Sequence, residues 1–319
     1  MKQLPSVNLQ KGTGVSNLQI SDIDKVSVFY KDKLVGELAL DANGVSVFEY
    51  SPGWIAEGFS ISPLFLPLES CVFVANPRKF DGLFGVFNDS LPDGWGRLLL
   101  DRSLAQQGIN PESVGPLARL CIVGSSGMGA LEYRPNYEIE DITAIKDLDE
   151  ISQQSLELLR SDNCKDLDAL YAMGGSSGGA RPKIFANIDG EDWIIKFPSH
   201  LDKPDIGEEE FRISELARNC GLEMPPTKLF PSKICKGYFG VKRFDRVASA
   251  GKTEKIHVVS ASGLLETSHR VPNLSYELLL RLTWKICGSL DEVVRMYRLM
   301  CFNVAIGNKD DHAKNFAFI

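Results

Sequence analysis

Residues 306–319 read "IGNKDDHAKNFAFI". Asp310, Asp311, His312, Lys314 and Asn315 crowd one short loop that runs into an apolar strand. A metal-dependent hydrolase using Asp310, Asp311 and His312 is one reading. The chain has only four histidines, and none of the others stands at ligand spacing, which weighs against it. His312 reads instead as a loop residue that hydrogen-bonds its neighbours.

Upstream, residues 174–199 read "GGSSGGARPKIFANIDGEDWIIKFPS". A glycine- and serine-rich loop leads into the strand "KIFANI". "DGED" turns the chain, and "WIIKFP" returns as a second strand. Glycine lets backbone N–H groups converge on a small anion because no side chain intervenes. This is not a Walker loop, since Gly-Lys-Ser/Thr is absent. Lys196 stands in the apolar return strand, so it needs either a solvent opening on a sheet edge or an anionic partner. "DIGEEEFRISELARN" then reads as an amphipathic helix with Glu208, Glu209 and Glu210 in its first turn. Helix-dipole capping explains such acids. So does an ion pair that holds a phosphate-binding lysine. "GYFGVKRFDR" is a strand running out into charged residues: either a hinge whose backbone meets a purine edge with Phe244 against the ring, or a surface ion-pair cluster.

The order of these pieces matters more than any one of them. Glycine loop, strand lysine, acidic helix, hinge strand and Asp-x4-Asn loop follow in the sequence that a kinase fold requires. On that reading Asp310 accepts a hydroxyl proton, Asn315 holds magnesium, and Lys314 between them meets the transferring phosphoryl group.

The rest of the chain supplies a soluble frame. Its 319 residues carry 44% hydrophobic and 24% charged side chains, the balance of a globular protein with room for two domains. A net charge of −7 argues against gripping nucleic acid through its own phosphate contacts. The start lacks a signal-peptide core, and no apolar stretch is long enough to span a bilayer. Seven scattered cysteines, never spaced Cys-x-x-Cys, read as reduced thiols of a cytoplasm. Residues 1–24 read as a loose arm. "VSVFYKDKLVGELAL" and "GVSVFEYSP", joined by "DANG", alternate like antiparallel strands. "FDGLFGVFNDSLPDGWGRLLLDRSLAQQG" passes from a turn at Asp93 and Gly94 into a helix bearing Leu98, Leu99 and Leu104. Residues 136–150 are acidic without an apolar face and read as a linker. "DEISQQSLELLR" and "KDLDALYAM" read as helices.

In "SSGGARPK", "WIIKFP", "EEEF", "KRFDR", "HVVSASGLLE" and "GNKDDHAKNF", the chain resembles the HipA family of serine/threonine kinase toxins. "GVSVFEYSPGWI" and "FNDSLPDGWGR" resemble that family's N-terminal subdomain. The resemblance implies an α+β fold, with a protein-kinase-like, lipid-kinase-related core over 151–319 preceded by a mixed β/α subdomain over 25–135. It implies ATP and magnesium as cofactors. The general base falls on Asp310, with Lys314 beside it and Asn315 on the metal. Nucleotide binding falls on Gly175, Ser176, Ser177, Gly178, Gly179, Lys183 and Lys196, with an adenine-contacting hinge at Lys242, Arg243 and Phe244. The family's autophosphorylated serine falls on Ser176. Implied partners are a helix-turn-helix antitoxin, operator DNA only through that antitoxin, and a protein substrate, best known as glutamyl-tRNA synthetase. The family adds a second magnesium-binding aspartate and a helical region after the catalytic-loop strand. This sequence stops at Ile319 before either, so little or no kinase turnover is expected of it. A catalytically inactive remnant that binds nucleotide or antitoxin is the alternative.

Overall fold

Alternation of apolar residues builds the first sheet. The structure, a computed structural model, describes residues 23–137, 147–160, 167–249, 252–268 and 273–319. The expected N-terminal arm therefore lies almost wholly outside the described residues. Strands β1 (Lys25–Tyr30), β2 (Lys33–Leu40) and β3 (Ser46–Tyr50) form a meander. Val26, Val28, Val35, Leu38, Phe48 and Tyr50 point into the core. The β1–β2 turn has positive φ at Lys31 and Asp32, the geometry whose twist matches a two-residue hairpin. In the "DANG" turn Asp41 accepts from the backbone N–H groups of Asn43 and Val45.

Beyond α1 (Pro52–Glu57), β4 (Val72–Val74) adds to one edge. Next come α2 (Gly85–Asn88), α3 (Gly94–Gln106), α4 (Pro116–Val123) and β5 (Leu131–Arg134). The completed sheet has the order β4-β3-β2-β1-β5, antiparallel throughout. On α3 the buried stripe is Trp95, Leu99, Leu100, Ser103 and Leu104, while Leu98 is only partly covered. Helix α3 packs against α6 (Leu167–Gly174) as well as the core of its own domain. Between them, α5 spans Leu148–Arg160 and starts inside the stretch read as a linker. Residues 138–146 of that stretch lie outside the described residues.

The second sheet carries the candidate site. Strand β6 (Lys183–Ile188) turns at Asp189-Gly190 into β7 (Glu191–Lys196). Helix α7 (Ile206–Asn219) follows, then β8 (Thr227–Phe230) and β9 (Tyr238–Lys242). The order is β6-β7-β9-β8, again antiparallel. Lys196 thus stands on an interior strand and not on an edge. A hairpin of β10 (Arg246–Ser249) and β11 (Lys252–Lys255) leads to β12 (Val259–Ser260), α8 (Ala261–Leu265), α9 (Tyr276–Cys287) and α10 (Leu290–Ala305). After the polar loop, β13 (Ala317–Phe318) pairs antiparallel with β12.

The N-terminal and C-terminal halves share one hydrophobic core and a polar seam. Gly85 of α2 lies so close to Gly263 of α8 that a Cβ on Gly85 would overlap the Gly263 backbone, while one on Gly263 would overlap the Asp89 carboxylate. At the seam's centre, Asp245 is fully buried. It accepts from Arg243 Nε at 2.9 Å, and from Arg243 Nη2, Arg246 Nη1 and the Gly129 N–H at 2.8 Å each. The two arginines also donate to the carbonyls of Gly127 and Gly129. The alternative of a surface ion-pair cluster in "RFDR" is therefore replaced by a buried one that clamps the halves together. Among the described residues no helix is long and apolar enough to cross a membrane.

Candidate active site

Three backbone segments meet at the glycine loop. Residues 175–182 leave α6 and enter β6, and the N-terminus of α3 presses on them from the other half. The Trp95 N–H donates to Gly179 O at 2.9 Å. The Trp95 indole donates to Lys183 O at 3.1 Å. A Cβ on Gly96 would collide with the Ser177 carbonyl, and one on Gly94 with that of Gly179. Only glycine admits this approach, which is why "DGWG" carries two of them.

Within the loop the two serines differ. Ser177 is buried and donates its hydroxyl to Gly174 O at 2.6 Å. Ser176 is more accessible, and its hydroxyl reaches Ser126 O at 3.1 Å. Gly178 and Gly179 are exposed, and Gly175 is packed against Tyr171. The Gly179 N–H donates to Asp93 Oδ1, and Lys183 Nζ to Gly178 O.

The register of the hairpin sets Lys183 directly opposite Lys196. Two ammonium groups side by side are unfavourable unless an anion is close. Lys196 has one: its Nζ lies 2.8 Å from Glu210 Oε2 on α7, and 5.3 Å from the Phe239 ring centre. Of the two explanations for the acidic helix start, the ion pair is thus the one observed for Glu210. Arg181 shares Glu210 at 2.7 Å and meets Asp202 at 2.9 Å. Lys183 is left with less compensation. Burial and the charge of Lys196 bring its ammonium down to about 8, against the pull of Asp93, Glu210 and Asp310.

Asp310 therefore lies within electrostatic reach of the glycine-loop lysine, although far apart in sequence. Its carboxylate is 82% exposed, with His312 Nε2 at 3.4 Å. The loop is shaped by its own polar groups. Asn315 Nδ2 donates to Asp310 O at 2.5 Å, and the Asp310 N–H to Asn308 Oδ1 at 3.0 Å. Asn308 in turn donates to Asn303 of α10 at 3.2 Å. Tyr276 of α9 donates to Asp311 at 2.8 Å and accepts from Asn303 at 3.1 Å, which ties the loop to both helices. Lys314 reaches the other half of the molecule, with Nζ 2.6 Å from Asp93 Oδ2. Nearby, Asp89 is partly buried. Burial pushes its carboxyl up, opposed by Lys314 and by bonds from the Ser260 N–H and hydroxyl, both 2.7 Å.

The expected hinge is placed differently from the lysines. Lys242 lies opposite Trp193, and its Nζ pairs with Glu191 at 2.5 Å, at the other end of β7 from Lys196. Its N–H is spent on Pro226 O, and that of Arg243 on Asp192 O, both at 2.8 Å. The Arg243 guanidinium is 5% exposed, locked to Asp245 and stacked 4.4 Å from the Phe185 ring centre. Phe244 remains exposed. Asp93, Arg181 and Asp89 were not singled out as site residues from the sequence. The one signal for the two aspartates was a pair of carboxylates in a glycine-bearing loop, "NDSLPDGWG".

Over residues 26–134 the chain matches the HipA N-terminal domain, and over 175–319 the HipA-like C-terminal domain. Among curated relatives it is 26% identical to the Sinorhizobium fredii protein named "Putative kinase Y4mE", covering 92% of this chain and 73% of that one. It is also 26% identical to "Putative kinase Y4dM" of the same organism, over 43% of this chain and 35% of that one. A solved chain from the Shewanella oneidensis MR-1 toxin–antitoxin complex of HipA, HipB and operator DNA shares the fold, with a TM-score of 0.65 at 20% identity. That match covers 92% of this chain and 72% of the other. The fold is accordingly α+β, a kinase-like core behind a mixed β/α N-terminal half, and with both halves matched in order the chain belongs to the HipA family.

Proposed function

We propose that this chain is a HipA-like kinase that transfers the γ-phosphoryl group of ATP to a serine of a protein. The observation that supports it best is the convergence of Lys183, Lys196 and Asp310 on the glycine loop, with Glu210 2.8 Å from Lys196. The paired lysines fit a phosphate chain, because an added anion relieves their mutual repulsion. Magnesium takes one or two protein ligands beside phosphate oxygens and does not need a protein cage. Asn315 fits as such a ligand through Oδ1, since its Nδ2 is already held by the Asp310 carbonyl.

When bound, ATP with magnesium would supply the activated phosphoryl group. The chain's own residues divide the remaining work. Lys196, oriented by Glu210, and Lys183 hold phosphate oxygens. Gly178 and Gly179 let the backbone approach them. Asp310 orients the acceptor hydroxyl and takes its proton. With the Lys242 and Arg243 amides already spent, a purine edge would meet carbonyls of that segment, with Phe244 against the ring. The relatives named as kinases support this reading. The HipA–HipB–DNA neighbour supports a helix-turn-helix antitoxin as partner, with DNA reached through it. Glutamyl-tRNA synthetase is the substrate proposed by family likeness, and the cytoplasm is the compartment.

Calorimetric titration of ATP and magnesium into the wild-type and Lys196→Ala proteins tests the reading. Loss of one phosphate-binding cation should weaken ATP by about tenfold or more, since charge-assisted bonds contribute roughly 1.5–3 kcal/mol. Equal affinities would leave Lys196 as a structural partner of Glu210 alone.

A further inference from the structure

The geometry points to Asp93 as a positioning residue that joins the glycine loop to the catalytic loop, which makes the N-terminal half a working part of the transfer site. This rests on the phosphoryl-transfer reading above. Asp93 occupies the N-cap position of α3, where an aspartate ordinarily accepts a bond from its own helix. It makes no such cap bond. One carboxylate oxygen instead accepts the Gly179 N–H, and the other holds Lys314 Nζ at 2.6 Å. Each member of the Asp93–Lys314 pair is only about one-sixth exposed, at 15% and 16%. A charge pair so enclosed is screened less by solvent than one at the surface.

The surroundings over-determine the arrangement. Gly94 adopts φ +44°, and Gly94 and Gly96 admit the loop's backbone where any side chain would collide. The Trp95 N–H holds Gly179 from the same turn. On the far side Lys314 feels a second carboxylate, the partly buried Asp89. Asp89 is itself held by Ser260, whose strand pairs with Ala317 just beyond the catalytic loop. A helix that gives up its own cap to hold two separate segments fixes the distance between them. Those two segments carry the phosphate cradle and the candidate base.

The consequence is kinetic. Asp93→Asn keeps an acceptor for the Gly179 N–H but loses the charge that holds Lys314. In an assay held at about pH 6.5, where Lys183 keeps its proton, removing a negative charge near the phosphates should not weaken ATP, whereas a misplaced lysine slows transfer. We expect kcat to fall by up to about 100-fold, the scale of an ångström misplacement, with the KM for ATP not raised. Lys314→Gln breaks the same link from the other end, so the inference remains testable if Asp93→Asn destabilises the fold. The Asp93→Asn/Lys314→Gln double variant should then be no slower than the slower single variant.

The experiment measures steady-state transfer from radiolabelled ATP to the protein itself or to an added serine substrate, for the wild type, both single variants and the double variant, each extended by the C-terminal region that the family adds after the catalytic-loop strand. Non-additive kcat losses with unraised KM support the inference. Additive losses, or a loss confined to KM, would overturn it while leaving the kinase reading intact. A wild type that binds ATP and transfers nothing would overturn the kinase reading and this inference with it.

Discussion

Replacing Asp245 by asparagine should loosen the seam between the two halves more than any surface change. Asp245 is fully buried and accepts four bonds, three from two arginines and one from the Gly129 amide. Burial opposes its charge, but Arg243 and Arg246 hold its carboxyl below the usual range. Asparagine keeps the shape and one acceptor while turning an NH2 group toward cations. Breaking a buried pair by removing one partner costs about 3–5 kcal/mol. The guanidinium bonds to the Gly127 and Gly129 carbonyls survive, which favours the low end, about 3 kcal/mol. At roughly 2–4 °C per kcal/mol for a chain above 150 residues, melting should fall by about 6–12 °C. Calorimetry with guanidinium titration reads both quantities. The pH dependence has a definite sign. Because the folded carboxyl is held below its unfolded value of about 3.9, the stabilisation is fully present above that pH. It fades as pH falls through the lower folded value. A loss below about 1 kcal/mol, the scale of an exposed pair, would refute the clamp.

Other expectations follow from the glycine loop. Because burial and Lys196 bring the Lys183 ammonium down to about 8, that cation is lost as pH rises. ATP affinity should fall about tenfold between pH 7 and 9, as one proton must be taken up on binding. Lys183→Arg should flatten that profile, and a flat wild-type profile would contradict the assignment. Phosphate on Ser176 adds about −1.5 to −2 charge. It should break the bond to Ser126 O and repel the nucleotide, which switches binding off. Mass spectrometry of phosphosites with paired ATP titrations checks this, and a phosphorylated Ser176 with unchanged ATP affinity would end it.

Local chemistry was legible in the sequence, and relations between distant segments were not. The β1–β2–β3 meander follows from alternation and turn residues, both short-range signals. Glu210 meets Lys196 as an acidic helix after a lysine-bearing strand suggests. The hinge was harder, because whether "RFDR" is surface or buried depends on Gly127–Gly129 in the other half. Helix α5 starts at Leu148, inside the acidic stretch read as a linker, where Asp149 is buried and accepts from the distant Ser232 and Tyr238. Asp93 and Lys314 form the pair least visible from the sequence. Nothing local in "PDGWG" states that its carboxylate leaves its own helix for a loop at the far end of the chain.

The central claim is that Asp310 acts as the base of a phosphoryl transfer, and transfer by Asp310→Asn tests it most directly. Binding and labelling are measured on the same samples with ATP and magnesium. In a form extended by the C-terminal region that the family adds after the catalytic-loop strand, the account predicts that both proteins bind ATP and that only the wild type labels serine, because the variant keeps the cradle and loses the proton acceptor. Labelling by Asp310→Asn at near wild-type rate would contradict it.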